Sequence, residues 1–209
     1  AGANVVLICV KPAYVKEVLA DIADSLDDNA LVISVAAGVT TSAMEKVLPE
    51  DVGVVRAMPN TPSIVGRGLT GISAGSRATD WAVETAVQLF ETVGKTLVLD
   101  ESKIDALSTI SGSGPAYVFY LIEQLTNAAK HQGFSDEEAA LLVNETFLGA
   151  AELLVSSKKT PEALRKQVTS PNGTTERAIA RMTETDLQKM FIEATDAALA
   201  RAKELASGK

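Results

Sequence analysis

Apolar positions fall into two regimes along the chain. Up to about residue 99, short β-branched runs alternate with helical patterns. Strands are predicted at 5–10, 31–35, 52–57, 71–73 and 95–99. Between them, Val15, Val18, Leu19 and Ile22 share one face of a helix over 13–25. A short helix over 41–48 has Thr40 or Thr41 as its cap, and Thr79 caps a helix over 80–92. Apolar strands alternating with helices predict an α/β region: a mostly parallel sheet covered on both faces.

From about residue 101 the strand pattern stops. Residues 114–132 carry Val118, Leu121, Ile122, Leu125 and Ala129 on one helical face. Ser135-Asp136-Glu137-Glu138 reads as a capping box opening a second long helix, with Leu142, Phe147, Ala150 and Leu154 inside. Thr160-Pro161 opens a third, with proline in the first turn. Thr174 or Thr175 caps a fourth, and 186–205 carries a stripe that includes Leu187, Met190 and Phe191. The expected organisation is an α/β region over 1–100 and an all-α region over 101–209. The helical stripes are rich in Ala and Leu, and a small all-α lobe gains core by burying such faces against a second copy.

Composition narrows the function. With 19 basic and 27 acidic residues the net charge is −8, which disfavours binding to nucleic acid or to an anionic membrane. A single cysteine, Cys9, excludes an internal disulfide framework and a cysteine-rich zinc site, and a single histidine, His131, excludes a multi-histidine metal site. Cys9 reads as a buried small hydrophobe and His131 as a partner of a helix C-terminus. No apolar run is long enough to predict a transmembrane helix. The opening residues, Ala1-Gly2-Ala3-Asn4, lack the basic region of a signal peptide and lead at once into what reads as a central strand. The chain is therefore expected to be part of a longer protein.

Four segments carry candidate chemistry. Val10-Lys11-Pro12 follows the first strand, and ligands of parallel sheets sit at the carboxyl ends of strands. In 34–40, Ala37 and Gly38 leave room for a flat ring or a ribose to approach the backbone. Arg56-Ala57-Met58-Pro59-Asn60-Thr61-Pro62 fixes an irregular path with two prolines and offers Asn60 at the same edge. Last, the paired loops at 111–117 and 169–176 run into helix starts, whose free N–H groups suit a carboxylate. The second loop adds hydroxyls from Ser170, Thr174 and Thr175.

In this order and spacing, Val10-Lys11-Pro12, Arg56-Ala57-Met58-Pro59-Asn60-Thr61-Pro62, Ser111-Gly112-Ser113-Gly114-Pro115-Ala116-Tyr117 and Thr169-Ser170-Pro171-Asn172-Gly173-Thr174-Thr175 resemble the pyrroline-5-carboxylate reductase family. The resemblance implies a Rossmann domain followed by a helical domain that dimerises by intertwining, often into larger rings. It implies reduction of 1-pyrroline-5-carboxylate to L-proline by NADPH or NADH, in the cytoplasm and without a metal. Val10, Lys11, Pro12, Ala37, Gly38 and Asn60 would then border the cofactor. Ser170, Pro171, Gly173, Thr174 and Thr175 would bind the substrate, with Thr175 the catalytic hydroxyl at the ring nitrogen. Two departures stand out. The family opens with a strand and a G-x-G-x-x-G pyrophosphate loop; no such loop is expected in this chain, so the Rossmann domain is expected to be incomplete at its start. Asn172 stands where the family has glycine, and asparagine is the next most tolerant residue of left-handed backbone.

Two other readings stay open on sequence. One is a β-hydroxyacid dehydrogenase, which resembles the arrangement of a Rossmann lobe and helices but carries a catalytic lysine on the first helix of the second lobe; here Lys130 comes too late. The other is an inactive fragment or helical dimerisation module without competent dinucleotide binding.

Overall fold

The computed structural model describes residues 2–206. Five strands form one sheet in the order β1-β2-β3-β4-β5: β1 Val5–Ile8, β2 Leu31–Ser34, β3 Gly53–Met58, β4 Gly68–Ala74 and β5 Gly94–Val98. β1, β2 and β3 are mutually parallel, β4 is antiparallel to β3, and β5 is parallel to β4. The sheet is thus mostly parallel, as the strand–helix alternation implies. β1 is the first of the five described strands in that order. Its Leu7 is exposed, and Cys9, expected to be buried, is exposed just past the strand end.

Connection geometry explains how both faces are covered. α1 Val15–Ala23 and α2 Thr41–Glu45 link β1 to β2 and β2 to β3, stepping one way across the sheet. Right-handed crossovers put both helices on one face. There Val15, Leu19 and Met44 pack with Ile8, Val32 and Val54. β4 reverses direction, so the next crossover, α3 Asp80–Glu91, covers the opposite face. Ala82, Ala86 and Phe90 pack there on Leu31, Ile33, Val55 and Ile72. All four residues of β2 are buried, which is why that strand reads as a continuous apolar run rather than an alternation.

Local signals set the helix starts. Thr40 and Thr79 accept hydrogen bonds from the N–H groups of Ala43 and Ala82. Thr41 is not the cap. Its N–H and hydroxyl both donate to the carboxylate of Glu101, at 2.8 and 2.7 Å. Between β4 and β5, Gly68 and Gly94 are register partners. A Cβ on Gly94 would collide with the Gly68 backbone, so side chains are excluded there.

After β5 the described chain is helical: α4 Ile104–Leu107, a π turn Ser108–Gly112, α5 Gly114–His131, α6 Asp136–Ser157, α7 Pro161–Gln167, α8 Thr174–Thr183 and α9 Leu187–Ala206. The chain divides into two compact units, one made of the residues up to Pro115 with those from Thr195 on, the other Ala116–Ala194. The second unit buries little of its own apolar surface. Of the buried apolar side chains among the described residues, only Ala139 and Val143 lie beyond Ile104. Leu142 and Leu154, expected inside, are exposed, as are Val118, Leu121, Leu125, Met190 and Phe191. The stripes on these helices are therefore outer faces of this chain.

Ser135 accepts from the N–H of Glu138, and the Glu138 carboxylate accepts from the N–H of Ser135, the reciprocal capping box its sequence predicts. Ser135→Ala is expected to cost about 1 kcal/mol. The check is a chemical denaturation curve with a lowered midpoint and an unchanged slope.

Candidate functional site

Because β1, β2 and β3 are parallel neighbours, their carboxyl ends line one edge of the sheet. That edge carries Val10, Lys11 and Pro12 after β1, Ala37 and Gly38 after β2, and Asn60 after β3. The fold thus brings these six candidates together. Lys11 is exposed with extended backbone, and the turn after it is closed by the Tyr14 N–H on the Lys11 carbonyl at 2.9 Å. Gly38 has φ +73°, a conformation glycine adopts without strain, and Ala37 beside it is exposed. A flat ring could approach this backbone closely.

Asn60 is placed differently from its neighbours. Its Nδ2 donates to the carbonyl of Ser111 at 3.0 Å, and its Oδ1 accepts from the N–H of Leu69 at 2.8 Å. The amide is engaged at both ends, so it braces the edge from within. Near it, Arg56 is buried on β3 and pairs with Asp105 at 2.7 Å and with Glu101 at 3.6 Å. These partners lie 45 and 49 residues away in sequence, so no local pattern signals them.

The second cluster lies on the loop into α8. Its N-cap is Gly173, not Thr174 or Thr175 as expected from side-chain preference. The consequence is chemical. A Ser or Thr cap would cover an amide of the first turn with its own oxygen. With glycine there, the N–H groups of Thr174, Thr175 and Glu176 have no acceptor among the described residues. The hydroxyl of half-buried Thr175 likewise has no partner among them, whereas Thr169 and Thr183 spend theirs on the carbonyls of Arg165 and Ile179. A cluster of unused donors at a helix N-terminus suits a carboxylate.

The loop is pre-shaped. The Gly173 N–H donates to the Ser170 carbonyl at 3.0 Å, and the Asn172 N–H donates to the Glu176 carboxylate at 2.8 Å. Asn172 sits at φ +60°, the left-handed conformation anticipated for it. A Cβ on Gly173 would lie 3.0 Å from the Ser170 carbonyl oxygen, so a side chain there would strain this closure. The structural part of Glu176 was not foreseen. Its sequence signal is an acidic residue in the first turn of a helix, which also occurs where no site exists.

One dinucleotide-like spacing does occur inside the chain, Gly66-Arg67-Gly68-Leu69-Thr70-Gly71. It leads into and along β4 instead of joining a strand to a helix, so it lacks the context of a pyrophosphate loop. Each glycine has a local reason: Gly66 closes a turn at φ +69° in open space, whereas Gly68 faces Ser63 and Gly71 lies under Leu107.

Comparison with known proteins decides the family. The pyrroline-5-carboxylate reductase dimerisation family matches residues 101–205, and the family described as NADP oxidoreductase coenzyme F420-dependent matches residues 1–38. The pyrroline-5-carboxylate reductase of Pseudomonas aeruginosa is 42% identical over 99% of this chain and 76% of its own length. This chain belongs to the pyrroline-5-carboxylate reductase family. A solved reductase structure from Coxiella burnetii shares 42% identity at a TM-score of 0.93, covering 98% of this chain and 76% of the other. One from Plasmodium falciparum, solved with NADP bound, shares 26% identity at a TM-score of 0.87, covering 99% and 81%. As a family reductase, the chain has the oxidoreductase fold inferred from its sequence: a Rossmann-like, mostly parallel sheet followed by a helical dimerisation region.

Membership also accounts for the helical faces. The dimerisation match spans α5 through most of α9, where apolar side chains stand exposed. Although no uninterrupted apolar run predicts a membrane span, α6 is long and apolar enough to cross a membrane by length and composition, and little of it is buried in the single chain. It lies inside the range matched by the dimerisation family. The reductase is a homo-oligomer.

Proposed function

We infer that this chain catalyses the NAD(P)H-dependent reduction of 1-pyrroline-5-carboxylate to L-proline. Its family membership supports this over the dehydrogenase and inactive-module readings. The observation that carries the mechanism is the glycine-capped start of α8, with open amides beside an uncommitted Thr175 hydroxyl.

The substrate is a cyclic imine with a carboxylate. The N–H groups of Thr174 and Thr175 hold the carboxylate, with the Ser170 hydroxyl alongside, while Pro171 and Gly173 shape the loop. This replaces the water around the anion with fixed dipoles. Held in this way, the ring has one orientation, so its imine carbon is presented on a defined face. The Thr175 hydroxyl hydrogen-bonds the ring nitrogen. A threonine hydroxyl is a weak acid, so it orients the nitrogen and relays a proton instead of acting as a strong acid.

The sheet edge fits the nicotinamide half of the cofactor. Exposed Ala37 and positive-φ Gly38 permit close approach, and Val10, Lys11 and Pro12 flank them on the neighbouring strand end. When bound, NADPH or NADH supplies the hydride that reduces the imine carbon. Asn60 stands at the same edge. Assembly through the helical region as a dimer, which can build into a larger ring, belongs to the same proposal, as do a cytoplasmic location and the absence of a nucleic-acid or membrane partner.

The test is loss of reduced-nicotinamide absorbance by the gene product that carries these residues. Oxidation is expected only when 1-pyrroline-5-carboxylate is present, with L-proline as the product. Folded protein that leaves the absorbance unchanged would overturn the reading.

A further inference from the structure

We propose that Asn60 is a positioning residue for this reaction. It sets the place of the π turn Ser108–Gly112, and with it the Ser111-Gly112-Ser113-Gly114 loop, and does not act through a cofactor contact of its own. The inference rests on the reductase reading above.

Three residues spaced two apart along the end of β3 hold the segment 101–112. Arg56 pairs with Glu101 and Asp105. Met58 lies against the turn at Gly112, where a Cβ would meet the Met58 Cε at 3.5 Å. Asn60, just past the strand, donates to the Ser111 carbonyl at 3.0 Å. Side chains two apart on a strand share one face, so this face of β3 acts as a ruler for the segment. The side chains become smaller toward the carboxyl edge, where the candidate residues lie.

The segment needs such a ruler. A π turn carries an extra residue per turn and is intrinsically rare, so tertiary contacts must select it. Here the Ser113 N–H reaches back to the Ser108 carbonyl at 2.9 Å. Thr109, buried within the turn, donates its hydroxyl to the Ala106 carbonyl at 2.8 Å. Of these ties, only the Asn60 bond comes from a loop at the carboxyl edge of the sheet. Because Oδ1 is anchored by the Leu69 N–H at 2.8 Å, the amide cannot rotate without losing a second bond. It is therefore a rigid spacer between the start of β4 and Ser111.

The loop it places runs directly into α5 through Gly114 and Pro115. It is one of the four segments whose composition points to chemistry, and the mechanism above gives it no role. A displaced loop would disturb reaction geometry more than ground-state binding, since small misplacements of reacting groups act on kcat.

The variant Asn60→Asp keeps the acceptor for Leu69 and sets an oxygen against the Ser111 carbonyl. Expected are a fall in kcat of about tenfold, a KM for the reduced dinucleotide within about twofold of wild type, and faster hydrogen exchange at the Ser113 amide. Gly112→Ala reaches the same turn from the other side, because its Cβ meets the Ser108 Oγ at 3.1 Å. It should reproduce the kcat loss with Asn60 intact, and it serves alone if the first variant does not fold. A raised dinucleotide KM with unchanged kcat would overturn the proposal in favour of a direct cofactor contact. Faster Ser113 exchange with unchanged kcat would overturn it by showing that the turn's position does not matter to the reaction. The exchange measurement needs no turnover, so a chain that does not reduce 1-pyrroline-5-carboxylate would sink the reductase reading separately.

Discussion

Replacing Thr175 by alanine lowers kcat/KM for 1-pyrroline-5-carboxylate by about tenfold or more, a loss of at least about 1.4 kcal/mol of transition-state stabilisation. Thr174→Ala lowers it less. The two residues share the first turn of α8 and offer equivalent backbone N–H groups, which alanine retains. What differs is the side chain. Thr175 is half-buried with an uncommitted hydroxyl, while Thr174 is exposed. The comparison therefore isolates the hydroxyl from the anion site. Thr175→Ser should keep most of the activity because the hydroxyl survives. Thr175→Val should behave like the alanine variant although its shape is closer to threonine. Steady-state kinetics on the four variants decide the matter. Equal, small effects at both positions would remove Thr175 from the catalytic role.

Arg56→Ala is expected to cost about 3 kcal/mol of stability. The guanidinium is buried and pairs with Asp105 at 2.7 Å and Glu101 at 3.6 Å. Removing it leaves two carboxylates without their cation. Both are partly exposed, with side chains about a quarter accessible, so water offsets some of the loss and the lower end of the range for broken buried pairs applies. For a chain of this size the shift in Tm is roughly 6–12 °C. Arg56→Met should lose less, since it refills the volume along β3 while leaving the carboxylates unpaired. Thermal unfolding of the two variants checks the order. A loss below about 0.5 kcal/mol for Arg56→Ala would mean that Glu101 is held by Thr41 alone and that the ion pairs add little.

Much of the site was legible because its signals are local. Asn172 was read as tolerant of left-handed backbone, and it has φ +60°. The Ser135 box, the Thr79 cap and the proline start of α7 each depend on residues within about one turn. Gly173 was read as part of the loop but not as the cap. Cap preference ranks Ser and Thr ahead of Gly, and that ranking measures helix stability. A helix start that binds a ligand has the opposite requirement, because its amides must remain open.

The miscast residues are those whose surroundings come from far along the chain. Cys9 was expected in a buried strand, but β1 ends at Ile8 and Cys9 is exposed just past it. Leu142 and Leu154 have the spacing of an interior stripe. Periodicity states that a face is apolar and not which molecule covers it; both residues lie inside the dimerisation match and are exposed in the single chain. Asn60 is a different case: its role at the cofactor edge is what its variants test, and what the sequence did not show was its surroundings. Its two partners, Leu69 and Ser111, were out of reach of any pattern, the second being 51 residues away.

By itself, the sequence determined the strand–helix alternation, the change to all-helical structure near residue 100, the helix caps and the loop compositions that marked the family. These follow from backbone preferences and hydrogen bonds closed within a few residues. Tertiary structure decided the reversal of β4, which sends α3 to the opposite face from α1 and α2. It also decided the burial of Arg56 against Glu101 and Asp105, and the hydrogen bonds at both ends of the Asn60 amide. The reason is physical. A charge or an amide takes its energy from whatever lies within a few ångströms, and folding brings residues that are 45 to 60 apart in sequence to that distance.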